Sequence, residues 1–328
     1  MLYRYERSTP KGRLFKPATI RQVTSHNLSQ ASKRGVIEKK IPIVARGKSF
    51  PQWTLDKNGL LCVGEPDGKH CMQDWYFNNG APSFPWRSVR ENIKAVSILE
   101  TMLTIGDFAF YQCNNLDEAT IPKSVTSIGV CAFEGCRNLR RITLSHGVTS
   151  IGDHAFDGCS SLKKIVLPNS VTDIGERAFY DCCSLMDVTI SNNVTSIGDN
   201  TFYGCSNLRE ITIPNSVASI GYWAFSDCRS LQKVTLLYGV SNIGHAAFEN
   251  CSSLQKITIP NSVTKIGSCA FNNCSSLQEI QIPNSVTTIE SGIFRGCRNL
   301  RKVTMPARFN HMGFKLTYGI AKDIVTFT

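Results

Sequence analysis

Beyond about residue 100, the apolar and polar positions of this chain recur every 23 residues. An isoleucine returns at Ile105, Ile128, Ile151, Ile174, Ile197, Ile220, Ile243, Ile266 and Ile289. A phenylalanine follows each at a fixed distance, from Phe110 to Phe294. Next come a cysteine, from Cys113 to Cys297, and a leucine, from Leu116 to Leu300. Nine copies run without an insertion, which is the mark of a stacked repeat architecture. Within a copy, "LREITIP" (208–214) alternates apolar and polar residues, and this predicts a strand. Its first core position is Ile or Val except in copy one, which has Ala119. Proline at Pro214 and its equivalents ends the ladder bonding. Copies two, four and six lack that proline, at Ser145, Ser191 and Leu237, which suggests that a unit of two copies was duplicated.

Two bends follow from the small and polar positions. Gly221 comes directly after Ile220 and has a counterpart in every copy but the ninth, so a tight bend with positive φ is expected there. The ninth copy has Glu290 in that place and Gly292 two residues on, so its bend should differ. The residue before each ladder cysteine is Gly, Asn, Asp or Gln, and a second left-handed bend is expected at that point. Between the bends, "DNTFYGC" (199–205) is too short for a full helix and predicts one helical or 3₁₀ turn. One such coil has too few apolar side chains to offset the ordering of its backbone. Only stacking covers both faces and supplies strand-to-strand bonds.

The pattern L-x-x-I-x-I is the strand signature of leucine-rich repeats. The longer phrase, typified by "CSNLREITIPNSVASIG" (205–221), resembles the BspA-like leucine-rich repeat proteins. The resemblance is dense over residues 101–306. It extends weakly upstream, where "WTLDKNGLLCVG" (53–64) and "APSFPWRSVRENIKAVSI" (81–98) resemble the small β cap that precedes such arrays. It implies an α/β repeat solenoid, a right-handed superhelix with a parallel sheet on its concave face. It also implies surface attachment and protein binding. The expected organisation is a basic segment over 1–50, an N-terminal β cap over 51–100, nine repeats over 101–306 and a C-terminal cap over 307–328.

Cysteine usage changes this picture little. In-register thiols on adjacent strands would hold their Cβ atoms ~4.8 Å apart, wider than the ~3.8 Å a disulfide prefers. Zinc needs converging C-x₂₋₄-C ligands, and none of Cys131–Cys136, Cys269–Cys274 and the adjacent Cys182–Cys183 is paired with nearby histidines. The ladder cysteines are therefore expected to be small buried core residues. No metal or cofactor is expected. Nor is catalysis: there is no G-x-S-x-G, H-E-x-x-H, P-loop or dinucleotide-binding glycine pattern, and the histidines are scattered.

Function is then sought in columns that packing leaves free. One outward column reads Glu118, Arg141, Lys164, Asp187, Glu210, Lys233, Lys256, Glu279 and Lys302. The second reads Thr120, Thr143, Val166, Thr189, Thr212, Thr235, Thr258, Gln281 and Thr304. Strand alternation puts both on one face. That face is a candidate recognition strip for a protein partner, joined by Tyr238, which replaces the usual Asn of the following turn. A regular threonine array is also found on ice-binding solenoids, but the flanking charges argue against that use here.

Charge adds a second candidate. The formal net charge is +11, and residues 1–50 hold 12 Lys/Arg against Glu6 and Glu38. This basic segment suits nucleic acid or an anionic surface, with the solenoid as a spacer. Its opening "MLYRYERSTPKGRLF" is charged where a signal peptide needs an apolar run. No stretch reaches the ~18 apolar residues of a membrane helix. These features and the thiol-rich core point inward, while the resemblance points to the cell surface, so localisation is left open.

Overall fold

The computed structural model of the protein describes residues 43–47, 51–64, 70–75, 77–78, 81–310 and 320–328. Expectations for the remainder of segment 1–50 lie outside these residues. Each repeat makes one coil with two parallel strands, illustrated by Glu210–Ile213 and Ser219–Ile220. A turn joins them, closed by the Val217 N–H donating to the Pro214 carbonyl at 3.1 Å. Neighbouring coils pair in strict 23-residue register, Ile211 opposite Val234 and Ile220 opposite Ile243. The result is a β-solenoid of about ten turns. Among the described residues there is no α-helix. The 3₁₀ segments Arg87–Asn92, Ala307–Phe309 and Lys322–Ile324 flank the repeats. No helix among the described residues is long and apolar enough to cross a membrane.

The bend departs from the sequence expectation in its helical turn and in its first glycine. No helical turn forms, because two left-handed residues interrupt it. One lies before the ladder cysteine, as expected, from Gln112 (φ 52°) to Gly296 (φ 76°). The other lies four residues earlier and is mostly not glycine: Phe108, Cys131, His154, Arg177, Asn200, Trp223, Ala246 and Cys269 all have φ between 51° and 57°. This conformation lets alternate N–H groups point along the stack. The Trp223, Phe225 and Asp227 N–H groups donate to His245, Ala247 and Glu249 carbonyls of the next coil at 2.8–2.9 Å. Those of Ser226 and Cys228 close turns within the coil. Interstrand-type bonding thus continues around the corner and offsets the cost of the strained φ. The glycine after each isoleucine serves another purpose than positive φ. A Cβ on Gly221 would lie 2.7 Å from the Asp199 backbone nitrogen and 2.7 Å from the Gly198 carbonyl carbon. Gly292 is the copy-nine member of the left-handed column, at φ 71°.

The core is a set of one-residue ladders. Phe110 to Phe294 stack face to face with centroids 4.9–6.1 Å apart. Trp86 of the N-terminal cap extends the stack, 5.5 Å from Phe110, with its indole N–H donating to the Ala109 carbonyl at 2.8 Å. All fourteen cysteines are free. The ladder cysteines are buried as expected, but they are more than apolar filler. From Cys136 to Cys297, each thiol donates to the phenylalanine carbonyl of the preceding coil at 3.0–3.3 Å. A thiol is the small side chain that fills this corner and still reaches that acceptor.

The ends are closed by strands. Ile43–Gly47, Trp53–Asp56 and Leu60–Val63 form antiparallel pairs, and Leu60–Val63 then runs parallel to Ala95–Ile98. Ala95–Ile98 pairs with the first repeat strand, so cap and array share one sheet. At the other end, Val325–Phe327 adds a parallel strand to Lys302–Met305.

Candidate functional site

Strand alternation places the two candidate columns outward. In the first column Arg141, Lys164, Asp187, Glu210, Lys233, Lys256, Glu279 and Lys302 are exposed and Glu118 is half-buried. In the second, Thr120, Thr143, Val166, Thr189, Thr212 and Thr258 are exposed, as is Gln281, while Thr235 and Thr304 are half-buried. Register aligns like with like: Thr120 opposite Thr143, then Thr212, Thr235 and Thr258 in series. Tyr238 is 70% exposed at the turn beyond the strand, off the strand face itself.

The charges on this face are arranged by coil. The Arg141 guanidinium donates to the Glu118 carboxylate at 2.7 Å, and Arg140 pairs with Asp117 at 3.5 Å. Glu210, Lys233 and Lys256 are consecutive neighbours in register.

The near-neutral charge of the array conceals a separation that the column-by-column reading missed. In the repeats, the bend carries Asp107, Glu134, Asp153, Asp157, Glu176, Asp181, Asp199, Asp227, Glu249 and Glu290 against only Arg177 and Arg295. The stretch from cysteine to outward threonine carries twelve Lys/Arg against Asp117, Glu118, Asp187, Glu210 and Glu279. The strand side is therefore basic and the bend acidic. The signal was present in the sequence but emerges only when charges are summed around a coil rather than along the chain.

Several bend acids have structural roles. Asp107, Asp153 and Asp199, of copies one, three and five, accept the N–H of Val130, Glu176 and Tyr222 of the next copy at 2.6–2.8 Å. This alternation matches the missing prolines of copies two, four and six, so the two-copy period has a chemical counterpart. In copy nine, Glu290 accepts the Ser268 N–H at 3.0 Å and pairs with Lys265 at 2.9 Å, which holds the Glu290 carboxyl below its usual value. The bend also carries rings the sequence reading did not single out, Tyr222 and Trp223 exposed and Tyr180 and Tyr203 half-buried. Tyr222 and Trp223 pack edge-on against His245, and Tyr180 stacks on Tyr203 at 4.7 Å with Arg177 over its ring. Among the described residues, no group of His, Cys, Asp and Glu converges in a way that could hold a metal ion.

On the strand side there is one apolar departure. Val166 takes a threonine position and is 47% exposed, and Met186, one coil further, is 41% exposed. Beside Val166 the strand ladder is interrupted between Arg141–Leu144 and Lys164–Val166, and an open depression of about 710 Å³ lies there.

A 23-residue coil, parallel register, a one-residue phenylalanine ladder and an outward variable face define a leucine-rich repeat solenoid. The family description "BspA type leucine rich repeat region" matches residues 88–209 and 195–319. The chain belongs to this family. Among solved structures it is similar to a leucine-rich repeat protein from Bacteroides ovatus, at 24% identity over 89% of this chain and 99% of that one, with a TM-score of 0.42. A leucine-rich repeat protein from Eubacterium ventriosum shares 28% identity over 78% of this chain and 76% of that one, TM-score 0.47. A leucine-rich cell surface protein from Faecalibacterium prausnitzii shares 23% identity over 84% and 98%, TM-score 0.41. No curated protein matches the chain.

Proposed function

We infer that this chain is a non-catalytic scaffold that binds a protein partner through the outward strand face of its repeats. Proteins of this family are commonly interaction or adhesion scaffolds. The observation that carries the reading is the contrast between columns. Core positions repeat nine times with little change, while the in-register outward column runs Glu, Arg, Lys, Asp, Glu, Lys, Lys, Glu, Lys. A surface of fixed spacing and variable charge suits partner discrimination. Lys233 and Lys256 lie side by side on it, so their reversal to Glu changes the local field without touching the core. The double variant is expected to weaken partner capture by roughly tenfold or more, while urea stability moves by less than about 0.5 kcal/mol. Unchanged affinity for every captured partner, in this variant and in a Lys163/Lys164 reversal at the other end of the column, would remove the strand face from the reading.

A further inference from the structure

Resting on that reading, we propose that the strand face has its principal site at copies two to four, where it takes an extended acidic segment of a protein partner that carries an apolar anchor. Four observations converge there. The ladder is interrupted between Arg141–Leu144 and Lys164–Val166, as it is again between Asp187–Thr189 and Glu210–Ile213 and between Lys256–Thr258 and Glu279–Gln281, and at the first of these interruptions lies a depression of about 710 Å³. Its floor is apolar: Ile142 and Leu144 are 8% and 9% exposed, whereas Ile211 and Ile213 at the same positions of copy five are 3% and 0%. Val166 stands at its edge in place of threonine, and Met186 extends the apolar strip one coil on, its N–H bonded to the Lys163 carbonyl at 2.9 Å. The rim is basic, with Arg140, Arg141, Lys163 and Lys164.

The charges are not equivalent. Arg140 and Arg141 already face Asp117 and Glu118. Lys163 and Lys164 have no ion-pair partner among the described residues; Asp187 is the register neighbour of Lys164 but lies outside pairing distance. Two uncompensated cations beside an apolar floor form a desolvated centre with a charged rim, the anatomy of a protein-binding hot spot. Their sign selects acids. The same features disfavour nucleic acid. Its one aromatic ring is the His146 imidazole, where a single strand needs a succession of stacking platforms, and Asp117 on the rim and Glu118 beside it would repel a continuous phosphate chain.

The test uses the full chain and fluorescence anisotropy with labelled peptides of about ten residues, long enough to cross the three strands of copies two to four at ~4.8 Å spacing. The probes are an alternating Glu–Leu peptide, a Glu-only peptide, an alternating Lys–Leu peptide and oligothymidylate. The Glu–Leu peptide is expected to bind best. Lys163→Glu with Lys164→Glu should weaken it by roughly tenfold or more. Val166→Thr should weaken it several-fold, and this variant places the column's own residue in its usual position, so the fold is preserved. Lys256→Glu and Lys302→Glu should leave it unchanged. Equal binding of oligothymidylate, equal binding of the Glu-only peptide, or insensitivity to Val166→Thr and the Lys163/Lys164 reversals would overturn the proposal. If the Lys233/Lys256 reversal alone abolishes capture, the scaffold reading stands and this site falls. If neither set of changes matters, both fall.

Discussion

At the scale of single residues, the glycine after each isoleucine shows how packing, rather than backbone freedom, can demand a missing side chain. The backbone at Gly221 lies outside the left-handed region, and what excludes alanine is the preceding coil, whose Asp199 nitrogen and Gly198 carbonyl carbon would each lie 2.7 Å from a Cβ. Gly198 is different. Its nearest neighbour would be the Thr201 hydroxyl at 3.3 Å. The cause is local: Thr201 takes a position that is alanine in most copies, is fully buried, and donates to the Gly198 carbonyl at 2.9 Å. The ladder of short strands is interrupted at this place, between Asp173–Ile174 and Ser196–Ile197. Gly221→Ala is therefore expected to destabilise by about 1–3 kcal/mol through overpacking. Gly198→Ala should stay within about 1 kcal/mol of neutral, since it also narrows the unfolded ensemble. Urea midpoints of the two variants check this, and equal losses would mean that coil spacing does not decide the glycine column.

At the scale of elements, the strands were legible because alternation in "LREITIP" is a period-two signal repeated nine times, and the outward columns followed from it directly. The left-handed residue before each cysteine was legible too, since Gly, Asn and Asp dominate there. The first left-handed column was not, because Phe108, Arg177 and Trp223 carry no such signature and are held by bonds to the next coil. The expected helical turn failed for the same reason. The depression beside Val166 was also beyond sequence reading, because it lies between two strands whose core residues look ordinary. The cap was foreshadowed by "APSFPWRSV", but not the use of its tryptophan. Trp86 is fully buried and ends the phenylalanine stack on the N-terminal side. Trp86→Ala is expected to cost about 3–5 kcal/mol. Because stability in such arrays passes between neighbours, the loss should appear first as faster amide exchange in copies one and two, with copies six to eight little changed. Uniform deprotection along the array would show instead that the nine coils unfold as one unit.

At the scale of the whole molecule, small terms add because each is repeated. Every ladder cysteine from Cys113 to Cys297 has its thiol pushed upward, first by burial; Cys136 and Cys297 reach about 12 from an ordinary 9.0. A raised folded-state value means that the folded chain holds its protons more tightly than the unfolded one. The associated stability is fully present below pH 9.0 and is lost as pH rises from there towards about 12. Each thiol contributes a slope of about 1.4 kcal/mol per pH unit in that window, so nine in register make alkaline unfolding unusually steep. Urea midpoints measured under reducing conditions should be insensitive to the thiols up to about pH 8.5 and fall sharply beyond it. Replacing Cys228 and Cys251 by Ala removes two of the nine groups, together with their hydrogen bonds to Phe202 and Phe225. That variant should be less stable at pH 7 yet lose stability more gently as pH rises. A parallel pH dependence in the variant and the native chain would show that lysine and tyrosine titration, rather than the thiol ladder, governs the alkaline limit.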